Sequence, residues 1–506
     1  MNGWVLPDEV LRGAPTYTPR PRELADLELL LSGAYAPLTG FLSRADLVGV
    51  TRRGRLADGT PWSAPVTLEV PVELTGKLDL TNPMRRVLVL TDTEAAPAAA
   101  LDVTESWEAR AGSVFISGQL RRLGEGPRGA FKKLRLGPSE VRELLPAGRV
   151  LGVIADRPLH RPQLAQLAHA ARTIAGHVLI IVPVGGPGPD GLPPEALVRS
   201  VLAARDRLPA ATIVAVPLSR TGDDVRDALL HSRVAAAYGV THLLSGAATI
   251  TAGGLRVVLP RELAYDARDG QWRSRDDVPP HTRRLALTNR EIADLQDRGV
   301  TLPEWHTPPA VARELRRSRP PRKERGLVVL FTGLSGAGKS TIARGVHEAL
   351  LEGGDRNASL LDGDVVRRLL SSGLGFSRAD RDLNISRIGF VASEIAKHGG
   401  LALCCPIAPY AHGRSEARRL AHEAGAGFIL VHIATPLEVC EHRDRKGLYA
   451  KARAGEITNL TGVHDPYEIP TDAELTLDTA GTVDEAVATV LEYLTAEGWL
   501  EPTSHR

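Results

Sequence analysis

Short apolar runs alternate with amphipathic stretches along most of the chain. From about Val150 the runs Leu151–Ile154, Val178–Val182, Thr212–Val216 and His242–Leu244 have strand length and are rich in β-branched and aliphatic residues. The same alternation returns after residue 326, with runs at Leu327–Thr332, Ala358–Leu361, Leu401–Cys405, Phe428–Ile433 and Leu475–Leu477. Strands that are apolar on both faces and separated by helical patterns predict parallel sheets covered by helices on both sides. Residues up to 148 read differently: they are rich in Gly and Pro, with short β-prone pieces such as Val66–Val70 and Arg86–Leu90. The expected fold class is therefore α/β, with a β-rich N-terminal domain at 1–148, a first α/β domain at 149–315 and a second at 326–506. Between the last two, Arg316–Arg325 is basic and carries Pro320 and Pro321, and it reads as a solvated linker. No internal repeat or low-complexity tract is visible.

Bulk properties narrow the partners. A chain of 506 residues has room for about three domains, and 43% hydrophobic with 24% charged residues is ordinary for globular protein. A formal net charge of +2 gives no reason to expect nucleic acid. No basic-then-apolar leader and no apolar run of about 18 residues is present, so neither a secretory signal nor a membrane is expected. The three cysteines, Cys404, Cys405 and Cys440, lack metal-ligand spacing, and the adjacent pair reads as buried thiols. A reduced, cytoplasmic chain is the expectation.

The strongest chemical signal is Gly333-Leu-Ser-Gly-Ala-Gly-Lys-Ser-Thr341, which follows an apolar strand and opens a stretch with Ile342, Val346 and Leu350 at helical spacing. Strand, Gly-x-x-x-x-Gly-Lys-Ser and helix is the setting in which backbone N–H groups wrap phosphate oxygens. The loop residues Gly333, Leu334, Ser335, Gly336, Ala337, Gly338, Lys339, Ser340 and Thr341 are thus candidate ATP contacts. Lys339 is placed to reach the β- and γ-phosphates and Ser340 to ligate Mg²⁺.

Further residues point to a second substrate. The strand ending at Leu361 delivers Asp362-Gly-Asp364 to its C-terminal edge, where a carboxylate can orient Mg²⁺ or accept the proton of an attacking hydroxyl. A plain helix N-cap is the bland alternative, and it fits Asp364. Arg367, Arg381 and Asn384 flank a turn-rich Gly373–Ser377 stretch and suit an anion bound separately from ATP. The basic, glycine-hinged Arg443–Arg453 segment reads as a lid closing on phosphates.

On these residues, about 326 to 498 resemble adenylyl-sulfate kinase, which phosphorylates the ribose 3′-hydroxyl of adenosine 5′-phosphosulfate. The resemblance is carried by Gly333–Thr341, Leu361–Arg367, Gly373–Ser377, Ala379–Asn384, Thr435–Asp444, Lys446–Glu456 and Thr461–Glu468. It implies Lys339 and Asp362 as catalytic groups, with Ser340 and Asp362 holding Mg²⁺. It also implies an acceptor site of Asp364, Arg367, Phe376, Arg381, Asn384, Ile407, Ala408, Lys446, Asn459 and Leu460. Phe376 would stack on the adenine, and the lid, with Arg443, would close over ATP. Two positions depart from the family. Its Ile-Ser-Pro segment is here Ile407-Ala-Pro, which excludes a phosphoserine carrier at Ala408 but leaves direct in-line transfer intact. Its aromatic before Thr-Gly is Leu460, which removes one stacking face and predicts weaker acceptor binding with chemistry preserved.

Residues from about 20 to 315 resemble ATP sulfurylase, with a PUA-like N-terminal part. This rests on Leu31–Leu42, Pro158–Arg161, Asp227–His231 and Tyr238–His242. The family's Gln-x-Arg-Asn and His-x-x-His pattern is absent. Without a gap, Ile154, Asp156 and Arg157 stand at Gln, Arg and Asn, and Gln163 stands at the second His. A gap restores the arginine alone, as Arg157. The family's Gly-Arg-Asp-His is Gly246-Ala-Ala-Thr249. Attack of sulfate on an anionic phosphate depends on preorganised cationic donors, each worth about 10²–10³ in rate. The expectation is a retained scaffold without sulfurylase turnover, in which His160 is structural; the alternatives are a chain with both activities and a non-catalytic regulator that binds phosphoadenylyl sulfate. Both resembled families form multimers, so a homo-oligomer of two or more copies is expected, with ATP and adenosine phosphosulfate as small-molecule partners.

Overall fold

A computed structural model describes residues 8–124, 129–246, 254–354, 356–478 and 481–501. The chain forms two compact units, one of residues 1–287 with 303–314 and the other of 288–302 with 315–506.

In the first unit, a five-stranded sheet orders Thr16–Tyr17, Val87–Thr91, Pro97–Arg110, Ser113–Arg122 and Leu68–Pro71. Its centre is the long antiparallel hairpin Pro97–Arg110/Ser113–Arg122. A second, all-parallel sheet orders Arg256–Val258, His242–Leu244, Val150–Ile154, His177–Pro183 and Ala211–Val216. Its central run Val178–Val182 is buried on both faces, as the unbroken apolar pattern requires. A third, three-stranded antiparallel sheet, Gln271–Ser274, Leu263–Asp266 and Arg283–Arg284, was not apparent in the apolar pattern. One hydrophobic cluster runs from Leu29 and Leu68 through Leu179 and Val214 to Tyr238. The β-rich and α/β parts on either side of residue 148 therefore share a core.

The second unit holds a five-stranded parallel sheet, in the order Ala358–Leu361, Leu401–Cys404, Leu327–Thr332, Gly427–Ile433 and Leu475–Leu477. Every expected strand is present to within a residue. Helices Lys339–Gly353 and Val483–Ala496 pack on one face, over a core that includes Val329, Phe331, Val346 and Leu494. Helices Arg378–Lys397 and Ala411–Glu423 cover the other, over Val328, Leu330, Ile388 and Ala417. The central strand Leu327–Thr332 ends at the phosphate loop, so the site sits at the C-terminal edge of the sheet.

The stretch Arg316–Arg325 is not the solvated linker expected from its composition. Its first residues end the helix Pro309–Ser318, and Arg319, Arg322 and Arg325 converge on Asp297 at 3.1, 3.5 and 2.5 Å. Arg322 and Arg325 also lie over the Trp499 ring. A cation-rich sequence reads as solvated only when no carboxylate returns to meet it, and here residues 288–302 supply the half-buried Asp297.

Candidate active site

The phosphate loop bends because its glycines adopt backbone angles that other residues avoid. Gly333 has φ +154°, and a Cβ there would lie 2.7 Å from the Ile433 carbonyl oxygen. Gly338, at φ +106°, opens the helix Lys339–Gly353, whose Ile342, Val346 and Leu350 are buried against the sheet. The helix N-terminus thus aims at the loop's concavity. Tyr449 donates from its hydroxyl to the Ser335 carbonyl at 2.8 Å, and Thr435 does the same to the Ala337 carbonyl at 2.8 Å. Both hold the loop from outside.

Lys339 is buried, and its Nζ donates to the Leu334 carbonyl at 2.7 Å. Burial pushes its ammonium down to about 8, so it is poised to gain a phosphate partner. Asp362 caps the helix Gly363–Leu370, with Oδ1 accepting from the Asp364 N–H at 2.9 Å. The cap is thus Asp362 and not Asp364, which corrects the bland alternative raised from the sequence. Burial acts to raise the Asp362 carboxyl, but hydrogen bonds from the Asp364 N–H and the Ser340 hydroxyl outweigh it and hold it below the usual range. It stays a carboxylate beside Ser340. Cys405, whose thiol burial pushes up to about 11, lies 3.7 Å from Asp362 Oδ2.

Across from the loop, Arg367 donates to the Leu374 and Gly375 carbonyls at 3.2 and 2.9 Å and lies 4.3 Å from the centre of the Phe376 ring. Phe376 is otherwise exposed. Arg381 is buried and committed to protein partners: the Phe376 carbonyl at 2.8 Å, Thr461 Oγ1 at 2.5 Å, the Asn459 carbonyl, and Asp465 at 3.1 Å. It ties the Phe376 turn to the Asn459–Asp465 loop. Asn384 is also buried, and its Oδ1 has no hydrogen-bond partner among the described residues, a polar atom left for a ligand. Ala408 has φ +47°, and its carbonyl accepts from Arg414 at 2.9 Å and Thr332 at 3.2 Å. Lys446 of the basic segment forms an ion pair with Asp364.

One cavity of about 910 Å³ is lined by every candidate from Ser335 to Thr341 and by Asp362, Asp364, Arg367, Phe376, Arg381, Asn384, Ile407, Ala408, Arg443, Lys446, Asn459 and Leu460. Gly333 and Leu334 sit behind it. Gly333 N–H points to the Ile407 carbonyl at 3.4 Å, and Leu334 packs on Gly462. Six cationic side chains line the cavity against four carboxylates, which suits two anionic ligands. Among the described residues no cluster of three or more His, Cys, Asp or Glu could hold a metal. The hydroxyl of Ser340 and the carboxylate of Asp362 fit Mg²⁺, which takes few protein oxygens and completes its shell with phosphates and water. Sequence reasoning missed Tyr449, Thr332, Cys405 and Arg414. Tyr449 lies in the quoted Lys446–Glu456 segment, so its position was legible but its direction was not.

At the corresponding edge of the first unit, charged side chains pair with one another. Asp156 pairs with Arg220 at 3.2 Å, and Arg220 also meets Asp224 at 3.3 Å and Asp227 at 3.6 Å. Arg157 is 3.8 Å from Asp190, and Gln163 is exposed. His160 is buried, with Nδ1 3.0 Å from the Thr307 hydroxyl and its ring 4.8 Å from that of His306. Burial and His306 drive its pKa down to about 3, so it stays neutral. Ala247 and Thr249 lie outside the described residues.

A phosphate loop on a parallel sheet, sharing a cavity with a second cationic cluster, defines a P-loop nucleotide-binding domain with room for a second anionic ligand. The Adenylylsulphate kinase family matches residues 325–478, the ATP-sulfurylase family 132–254, and the PUA-like domain 9–115. The sulfate adenylyltransferase of Emericella nidulans is 32% identical over 99% of both chains. That of Neurospora crassa is 34% identical over 95% of this chain and 93% of its own. The solved hexameric APS kinase from Thiobacillus denitrificans has a TM-score of 0.73 at 34% identity, covering 98% of this chain and 96% of its own. The chain belongs to the sulfate adenylyltransferase family, with an adenylylsulphate kinase domain following PUA-like and ATP-sulfurylase domains. No helix among the described residues is long and apolar enough to cross a membrane.

Proposed function

We propose that the C-terminal unit transfers the γ-phosphate of ATP to the 3′-hydroxyl of adenosine 5′-phosphosulfate, giving ADP and 3′-phosphoadenylyl sulfate. The observation that carries this reading is the single cavity joining the phosphate loop to Arg367, Phe376, Asn384 and Lys446. The loop N–H groups hold the phosphates, and Lys339 exchanges its Leu334 carbonyl for the γ-phosphate. Ser340 and Asp362 would hold Mg²⁺, which would supply charge neutralisation for the donor phosphates. The 3′-oxygen attacks the γ-phosphorus in line, the bond to the ADP oxygen breaks, and the hydroxyl proton passes to the Asp362 carboxylate and on to solvent. Phe376 offers its exposed ring to the acceptor adenine, and Asn384 Oδ1 offers an acceptor to its polar edge. Ala408 leaves direct transfer as the route.

The N-terminal unit is proposed to lack sulfurylase turnover, because Arg220 is already neutralised by carboxylates and His160 is enclosed. A bifunctional chain is the second reading, favoured by relatives named sulfate adenylyltransferase over nearly the whole length. The solved chain titled an APS kinase covers the same length and supports the first, and its hexameric title supports a homo-oligomer. The test is a pair of incubations with Mg-ATP, one with adenosine phosphosulfate and one with sulfate. ADP in the first and no pyrophosphate in the second is expected. Pyrophosphate in the second would establish the bifunctional reading, and no ADP in the first would remove the kinase assignment.

A further inference from the structure

The segment Asp444–Tyr449 touches both halves of the cavity at once. At one end, Lys446 pairs with Asp364 on the acceptor side. At the other, the buried Tyr449 hydroxyl donates to the Ser335 carbonyl of the phosphate loop at 2.8 Å. Between them Asp444 stiffens the chain: Oδ1 accepts from the Tyr449 N–H at 3.1 Å and Oδ2 from the Ala450 N–H at 2.9 Å. Gly447, at φ +64°, makes the turn that separates Lys446 from the helix Leu448–Arg453. We propose that Tyr449 is a positioning residue through which acceptor binding acts on the phosphate loop, so that the two substrates bind with positive coupling.

The two contacts differ in strength, and that difference gives the element two states. Lys446 and Asp364 are 60% and 75% exposed, and an exposed pair contributes little, so an anionic acceptor draws Lys446 away readily. Tyr449 is 3% exposed, and its hydroxyl is enclosed with the Ser335 carbonyl and the Cys440 thiol as its partners, so the bond to Ser335 persists through the exchange. Because Asp444 holds the start of the helix, movement of Lys446 is passed to Tyr449 rather than absorbed between them. Fixing Lys446 on the acceptor therefore fixes the loop backbone that cradles the donor phosphates. Coupling of this kind is reciprocal, and each ligand tightens the other by the same factor.

This inference rests on adenosine phosphosulfate being the acceptor. The test is calorimetric titration of the full chain with the non-hydrolysable analogue AMP-PNP and Mg²⁺, with and without saturating adenosine phosphosulfate. In the unmodified protein the acceptor should tighten AMP-PNP by about fivefold or more. In Tyr449→Phe, which keeps the ring and loses the hydroxyl, the ratio should fall to near one, and Asp444→Asn should lower it as well. A purely structural role would weaken each ligand alone and leave the ratio unchanged. Retention of the full ratio in Tyr449→Phe, or a ratio of one in the unmodified protein, overturns the proposal. If AMP-PNP binds and adenosine phosphosulfate does not bind at all, it is the acceptor assignment that fails, and the coupling falls with it.

Discussion

The Lys339 ammonium donates to the Leu334 carbonyl at 2.7 Å, within its own phosphate loop. A buried cation held by a neutral carbonyl is costly in the free protein and becomes favourable once phosphate oxygens replace that carbonyl. Lys339→Met should therefore lower ATP-dependent turnover by at least about 10²–10³-fold. Its melting temperature without ligand should equal or exceed that of the unmodified protein. A marked drop in melting temperature would show that the lysine has a structural role instead.

Leu460 lines the acceptor side of the cavity, and its carbonyl accepts from the His464 N–H at 2.9 Å. Leu460→Phe adds an aromatic face opposite the adenine without disturbing the backbone bond. An aromatic pair contributes about 0.5–1.5 kcal/mol beyond burial, so the KM for adenosine phosphosulfate should fall by roughly two- to tenfold. The kcat should change little. Steady-state kinetics with ATP saturating would check it.

His160 carries a pH prediction for the N-terminal unit. Its folded pKa, about 3, lies below the ordinary value of 6.5, so the unfolded chain binds more protons in the interval between. Its contribution to stability is fully present above pH 6.5 and is lost as pH falls toward 3, at up to about 1.4 kcal/mol per pH unit. His160→Gln, which keeps a polar partner for Thr307, should flatten that decline. Hydrogen exchange in the strands Val150–Ile154 and His177–Pro183, measured across pH 4–6.5, would report it.

Asp297 gathers Arg319, Arg322 and Arg325 and is 14% exposed, with Arg325 at 12%. Asp297→Ala leaves these guanidiniums without their carboxylate and should destabilise the C-terminal unit by about 2 kcal/mol, less than a fully buried pair because two of the arginines reach solvent. Urea unfolding followed by hydrogen exchange in Leu327–Thr332 would measure it. No change would return the basic stretch to the status of a linker.

The parallel sheets were legible through their central strands, which are buried on both faces, whereas the partly exposed edge strand Arg256–Val258 was not read. Leu327–Thr332 reads as one apolar run and forms one strand with those bounds. The hairpin Pro97–Arg110/Ser113–Arg122 was not read, because the polar run Thr104-Glu-Ser106 interrupts the apolar alternation of its first strand and no Asn-Gly turn marks its end. The phosphate loop and the cationic cluster were both readable from residue type and spacing. Which Asp caps the helix after Leu361 was not, since Asp362 and Asp364 are two residues apart and only the backbone path decides. Nor could spacing reveal that the Tyr449 hydroxyl reaches Ser335, or that Asp156 pairs with Arg220, because both contacts are long-range side-chain directions.

The central claim is the destination of the γ-phosphate. Incubation of the full chain with γ-labelled Mg-ATP and adenosine 5′-phosphosulfate, followed by separation of the nucleotides, tests it most directly. The account predicts label in a 3′-phosphorylated adenylyl sulfate in equal amount to the ADP formed. Label confined to ATP and inorganic phosphate would contradict it.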